Sequence, residues 1–139
     1  MAGKPSWANF ISWSTPITIA TLNTDRSVIP EGSGFYAFTD DRGALKVNKV
    51  LYIGETKNLR SRLPKYLVHD PTQSNTRHKG ALFIGDHRTR LSNDYSIYLR
   101  WSMLDSVYIV RRDLEAALIQ FYNPHYNDRD WDREHMFED

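Results

Sequence analysis

Apolar positions fall into short runs separated by turn-forming residues, and their period changes along the chain. In PSWANFISW, Trp7, Phe10 and Ile11 stand at helical spacing and predict a short helix. PITIATL (16–22) alternates apolar and polar residues and predicts a strand. NTDRSVIPEGSG is rich in turn residues. GFYAFT (34–39) then predicts a strand, DDRGALKVN a hairpin-type connection at Gly43, and KVLYIG (49–54) the returning strand. Thr56 or Asn58 can cap a helix running to about Leu67. Pro64 should kink that helix, because it removes a backbone donor. HDPTQSNT reads as a loop. RHKGALFIGDHRTRL is a helix candidate weakened by Gly80 and Gly85, and YSIYLRWSML reads as a strand. Asp105 can cap a last helix to about Tyr122, with Val107, Val110, Leu114, Ala117, Leu118 and Phe121 on one apolar stripe. Pro124 ends it. The order β-β-α, helical insert, β, α predicts an α+β domain.

Composition narrows the class. A chain of 139 residues, 40% hydrophobic and 25% charged, suits one globular domain. No internal repeat or linker divides it. It contains no cysteine, which excludes disulfides, thiolate zinc sites and cysteine nucleophiles. No run is apolar and long enough to span a membrane, and the first residues carry no signal-peptide pattern. The expected location is therefore intracellular, cytoplasmic or nucleoid-associated, with no membrane partner. Charge is unevenly spread. Lys57–Arg100 holds nine Lys or Arg against three acids, a balance of +6, whereas Asp128–Asp139 holds six acids against two arginines, a balance of −4. Such asymmetry fits a polyanionic ligand and an acidic tail. The five histidines have no metal-ligand spacing.

The residues that carry chemistry sit where two predicted strands meet. GFY at 34–36 and YIG at 52–54 are followed by GETKNLRSR and, far downstream, by LEAALIQFYNPHYN. Read in this order, they resemble the GIY-YIG nuclease family, with Phe35 in place of the usual isoleucine. The likeness is to small phage and restriction members and to the excision-repair incision module. It covers Gly34 to Asn127, apart from roughly 69–104.

The resemblance implies a small central, mainly antiparallel three-stranded sheet flanked by helices. The chain then divides into an N-terminal extension (1–32), a core (33–127) with a helical insert at about 69–104, and an acidic tail (128–139). It further implies a divalent-metal-dependent DNA endonuclease using Mg²⁺ or Mn²⁺, one ion per active site. Its catalytic positions fall on Tyr36, Tyr52, Arg62, Tyr66 and Glu115, with Glu115 as the metal ligand. Gly54 and Asn127 are expected to support the site. Tyr52 would serve as general base or proton relay.

The residue types suit that chemistry. Phosphodiester hydrolysis needs an activated water, neutralisation of charge on the phosphoryl oxygens and help for the leaving oxygen. One carboxylate can hold Mg²⁺ whose remaining shell is water and phosphate. Arg62 offers a planar, permanently charged fork. A tyrosine at its ordinary pKa near 10 is a poor base at neutral pH. Tyr52 therefore needs a nearby cation, with Lys57, Arg60 and Arg62 as the candidates. Taken singly, each residue also has an ordinary structural reading: half-buried strand tyrosines, solvated helix charges, a turn asparagine. Their order together is what argues for a site.

Two residues depart from the pattern. Glu55 follows the YIG glycine, where relatives often carry Lys, Ser or Gly. It could repel phosphate, pair with an arginine or add a metal contact. Pro64 bears on the placement of Tyr66. Two other functions therefore stay open: a catalytically degenerate nucleic-acid-binding module, and an RNA-directed nuclease.

The candidate nucleic-acid contacts are Lys57, Arg60, Lys65, Arg77, Lys79, Arg88 and Arg90. No separate DNA-binding domain is evident, so targeting could come from the insert, a homodimer or a recruiting protein. If the insert cations meet phosphates, neutralising Arg88 and Arg90 together should flatten the slope of log K against log[salt] on DNA by about 1–2 units. An unchanged slope would remove the insert from the interface.

Overall fold

The apolar run GFYAFT becomes β2 (Gly34–Thr39) in the computed structural model, which describes residues 11–64, 97–125 and 127. Its neighbours are β3 (Tyr52–Thr56) and β4 (Tyr98–Met103), and a short β1 (Ile17–Thr18) pairs with the far side of β4. The strands form one four-stranded sheet in the order β1-β4-β2-β3, antiparallel throughout. The expected three-stranded sheet is thus β4-β2-β3, and β1 extends it.

Every residue of β2 is buried because both sheet faces are covered. On one face Tyr36, Phe38, Tyr52 and Leu99 pack with Ile19 and Leu22 of α1 (Ile19–Thr24) and Leu59 of α2 (Leu59–Arg62). On the other, Phe35, Ala37 and Ile53 pack with Leu118, Ile119 and Tyr122 of α3 (Tyr108–Tyr122). A strand buried on both sides reads as a continuous apolar run rather than an alternation. Burying each of its aromatic rings contributes about 1.5–3 kcal/mol. Gly34 sits where β2 comes close to β4: a Cβ there would run into the Ser102 carbonyl oxygen.

Three elements differ in their boundaries from the sequence expectation. PITIATL is a strand only at Ile17–Thr18. The Thr18 side chain then accepts from the Thr21 backbone N–H at 3.1 Å and caps α1, placing Ile19 and Leu22 one helical step apart in the core. The returning strand starts at Tyr52 rather than Lys49 and carries on through Glu55 and Thr56. The helix expected from Asp105 starts at Tyr108, with Val107 as an N-cap that makes no side-chain bond. Its buried positions are Arg111, Leu118, Ile119 and Tyr122, while Val107 and Val110 are 69% and 44% exposed. The expected stripe holds at Leu114, Leu118 and Phe121, which pack in the core cluster of this face, and fails at the first turn, where an arginine, not a valine, is buried.

Asn58 caps α2, its side chain accepting from the Ser61 N–H at 3.3 Å, and the helix closes at Arg62, two residues before Pro64. Residues 11–13, the described end of the expected N-terminal helix, are not helical. The rest of that helix, the expected continuation from 65 to Leu67, the insert helix and the acidic tail lie outside the described residues. Among the described residues no helix is long and apolar enough to cross a membrane.

Candidate active site

The two sequence triplets meet face to face. Tyr36 stands opposite Gly54, and Phe38 stands opposite Tyr52. The alternation of a strand puts Tyr36 and Tyr52 on one face as diagonal neighbours, with ring centroids 6.4 Å apart. Phe38 meets the Tyr36 ring edge-on at 6.1 Å. The Tyr36 ring reaches across β3 at Gly54, where any Cβ would collide with its Cζ and hydroxyl oxygen. The glycine of the second triplet therefore makes room for the tyrosine of the first.

α2 lies over the same face. Leu59 and Leu63 join the core cluster that holds Tyr36 and Tyr52, and Arg62 between them is 8% exposed. Of the other α2-region cations, Lys57 is exposed. Arg60 Nε donates to the Ile29 carbonyl at 2.7 Å, and its terminal nitrogen lies 3.8 Å from Glu31. Arg60 thus ties down the turn before β2, a role the sequence did not suggest.

Glu115 arrives from the opposite layer. It is half-buried on α3, which packs against the helix-facing side of β2 and edge strand β3. One helical turn earlier, Arg111 Nε donates to Glu55 Oε2 at 3.0 Å. A second Arg111 nitrogen donates to the Ser106 carbonyl. Of the three fates open to Glu55, pairing with an arginine is the one found. Tyr108, at the start of the same helix, has its phenol pKa raised by burial first and then by Glu55 and Glu115, against the opposing pull of Arg112 and Arg111. It stays a neutral phenol at neutral pH. Sequence reasoning singled out neither Arg111 nor Tyr108. The signal available was a charged residue inside an otherwise apolar stripe, four residues before Glu115.

Asn127 serves the edge of the sheet. Its side-chain oxygen accepts from the Ile53 N–H at 3.0 Å, and its amide donates to the Ile53 carbonyl at 2.9 Å. Ile53 is the middle residue of the second triplet, and among the described residues β3 has no strand on this side, so this amide takes that place. The His125 N–H adds a bond to the Val50 carbonyl at 2.9 Å. Asn123, in the left-handed region with φ 50°, ends α3 and turns the chain back along β3.

The structure therefore brings Tyr36, Tyr52, Gly54 and α2 with Arg62 to one face; α3, which carries Glu115, packs on the other, and Asn127 bonds the edge strand between them. Tyr66, Lys65, Arg77, Lys79, Arg88 and Arg90 lie outside the described residues. Among the described residues no three His, Cys, Asp or Glu side chains cluster as a metal cage. Glu55 is matched with Arg111, and Glu115 is a half-buried carboxylate one helical turn further along α3. A single hard oxygen donor suits Mg²⁺, which keeps most of its water.

Residues 33–127 match the GIY-YIG catalytic domain. Two crystal structures of the GIY-YIG N-terminal endonuclease domain of UvrC from Thermotoga maritima are similar to the chain. Both are tyrosine-to-phenylalanine point mutants bound to their catalytic divalent cation. One is 25% identical with a TM-score of 0.50, covering 78% of this chain and 97% of that one. The other is 26% identical with a TM-score of 0.51 and the same coverage. No curated protein matches the chain.

Replacing Asn127 with alanine leaves the Ile53 N–H and carbonyl without their edge partner. The variant should lose about 1–3 kcal/mol of stability, read from urea denaturation. An unchanged midpoint would show that water replaces the amide at no cost.

Proposed function

The chain belongs to the GIY-YIG family of metal-dependent endonuclease domains, and from that premise we propose that its substrate is DNA and that Tyr36, Tyr52, Arg62 and Glu115 carry its hydrolysis. The observation that carries this reading is the crossing of Tyr36 over Gly54, which sets two tyrosine side chains on one face beneath the helix bearing Arg62. The pairing of Glu55 with Arg111 supports it further, because it holds Glu55 on the α3 side of the sheet, away from a phosphodiester at the tyrosine face.

Arg62 presents its guanidinium fork to the non-bridging oxygens of the scissile phosphate. The same charge lowers the cost of a phenolate on the tyrosine face, which lets Tyr52 take or relay the proton of the attacking water. Tyr36, with its hydroxyl at Gly54, donates within the same site. Glu115 would hold a divalent cation, Mg²⁺ or Mn²⁺, which when bound neutralises charge at the phosphate and favours hydroxide from water. Tyr66, Lys57, Lys65 and the insert cations would contact the backbone of the substrate, and an intracellular location follows from a DNA substrate.

Purified protein is incubated with plasmid, single-stranded DNA and RNA, in Mg²⁺ or EDTA. Cleavage of DNA in Mg²⁺ alone is expected. Binding without cleavage would mark a degenerate module, and preference for RNA would move the substrate class. Glu115→Ala should reduce cleavage on the order of 10²–10³-fold while DNA affinity changes only a few-fold. Cleavage at the wild-type rate would dismiss Glu115. Arg62→Lys keeps the charge and loses the fork. Its turnover should fall well below wild type at similar affinity, and equal turnover would reduce Arg62 to a backbone contact.

A further inference from the structure

Arg111 is the one charged residue among the buried positions of α3, and the reaction outlined above makes no use of it. Its side chain is 8% exposed and that of Glu55 7%. Taking two charges out of water costs several kcal/mol per ion, and their attraction repays this only with good geometry and further hydrogen bonds. The geometry is present: Nε donates to Glu55 at 3.0 Å, and a second nitrogen is taken by the Ser106 carbonyl. Two apolar side chains would stabilise the contact as well or better. What they could not supply is direction. A guanidinium held by a carboxylate on one side and a carbonyl on the other fixes both the height and the rotation of the helix that bears it.

Register links this to the site. The Asn48 N–H donates to the Tyr122 carbonyl at 2.9 Å, near the end of α3, while Arg111 meets Glu55 near its start. α3 therefore runs antiparallel to β3. Four helical residues rise about 6 Å, and two strand residues span about 6.6 Å. Starting from Arg111 beside Glu55, Glu115 comes level with Ile53, between Tyr52 and Gly54. Beyond it, Leu118 and Ile119 share a core cluster with Ile53 and anchor the helix from the other side. Glu115 thus lies between an ionic anchor and an apolar one.

We propose that the Glu55–Arg111 pair is a positioning device that sets α3 on the edge strand so that the Glu115 carboxylate is held at the edge of β3 where a divalent cation can bind. The inference rests on the reading of Glu115 as the metal ligand.

Mn²⁺ affinity, measured by calorimetric titration of the full chain without substrate, tests it apart from activity. Glu55→Met/Arg111→Met replaces the pair by apolar side chains of similar length, and its folding is checked by thermal melting. Support residues behind a metal ligand commonly contribute 10–100-fold in affinity. The folded double variant should therefore bind Mn²⁺ about 10-fold more weakly or worse. Glu55→Gln keeps an acceptor for Arg111 Nε and should stay within about threefold of wild type. A folded double variant with wild-type affinity overturns the positioning role. If that variant does not fold, Arg111→Lys is read the same way: it keeps the charge without the fork, and wild-type affinity there overturns the inference. Glu115→Gln is titrated in parallel. If it alone loses binding, Glu115 is a ligand and the pair is merely structural. If it binds as wild type, or if the wild-type chain binds no Mn²⁺, the ligand reading fails and the positioning role fails with it.

Discussion

A tyrosine can cross an edge strand only where that strand has no side chain, and the site is arranged around one such crossing. Tyr36 lies opposite Gly54 in the β2–β3 register, and its ring and hydroxyl occupy the space a Cβ at residue 54 would take. Once Gly54 is committed to Tyr36, the alternation of β3 fixes the rest. Tyr52, two residues back, shares the tyrosine face. Ile53 and Glu55 must face the other way, toward α3, and that is where Ile53 enters the core and Glu55 meets Arg111. A shift of one residue in this pairing would turn Tyr52 toward α3 and Glu55 toward the face that holds Tyr36.

The crossing also places the second triplet on an edge, where backbone groups lack a neighbour and strands fray or pair with foreign chains. The chain answers with its own C-terminal segment. Asn127 bonds both backbone groups of Ile53, and His125 takes the Val50 carbonyl. Reactive groups on an edge need this reinforcement more than groups on a central strand, because ångström-scale drift is enough to spoil catalytic geometry. The half-exposed amide of a turn residue is therefore tied to the position of Tyr52 through the backbone it holds.

Much of this was legible in the sequence. The ordered triplets, the α2 segment and the closing helix pointed to the family and to the α+β sheet. The asparagine that follows the closing helix is a turn residue in the sequence, and in the structure Asn127 bonds Ile53 of β3. Two things were not legible. PITIATL alternates like a strand, and only the cap formed by Thr18 on Thr21 turns its second half into a helix. That competition between local capping and periodicity is decided by a single hydrogen bond. The face of α3 was the other. Val107 and Val110 scored as core by hydrophobicity, yet Arg111 is the residue turned inward, because Glu55 waits there as its partner. A pairing across 56 positions leaves no periodic trace.

Burial by itself does not mark an arginine as functional, and the three buried arginines among the described residues separate by layer. Arg100, opposite Ala37 on the α3 side, donates to the Thr39 hydroxyl at 2.8 Å and to the carbonyls of Asp41, Arg42 and Gly43. Burial lowers its pKa, with Asp41 opposing. It fastens the β2–β3 connection at one end of the sheet. Arg111, on the same side at the other end, is matched by Glu55 and the Ser106 carbonyl. Both charges are thus answered within the fold and separated from the tyrosines by the sheet itself. Arg62 instead belongs to the helix packed on the tyrosine layer. Electrostatic help for a phenolate falls off with distance and is strongest where water is excluded. Of these three guanidinium groups, Arg62 is the one on the tyrosine layer, and that placement is the ground for proposing it, rather than Arg100 or Arg111, as the cation that favours proton loss from Tyr52.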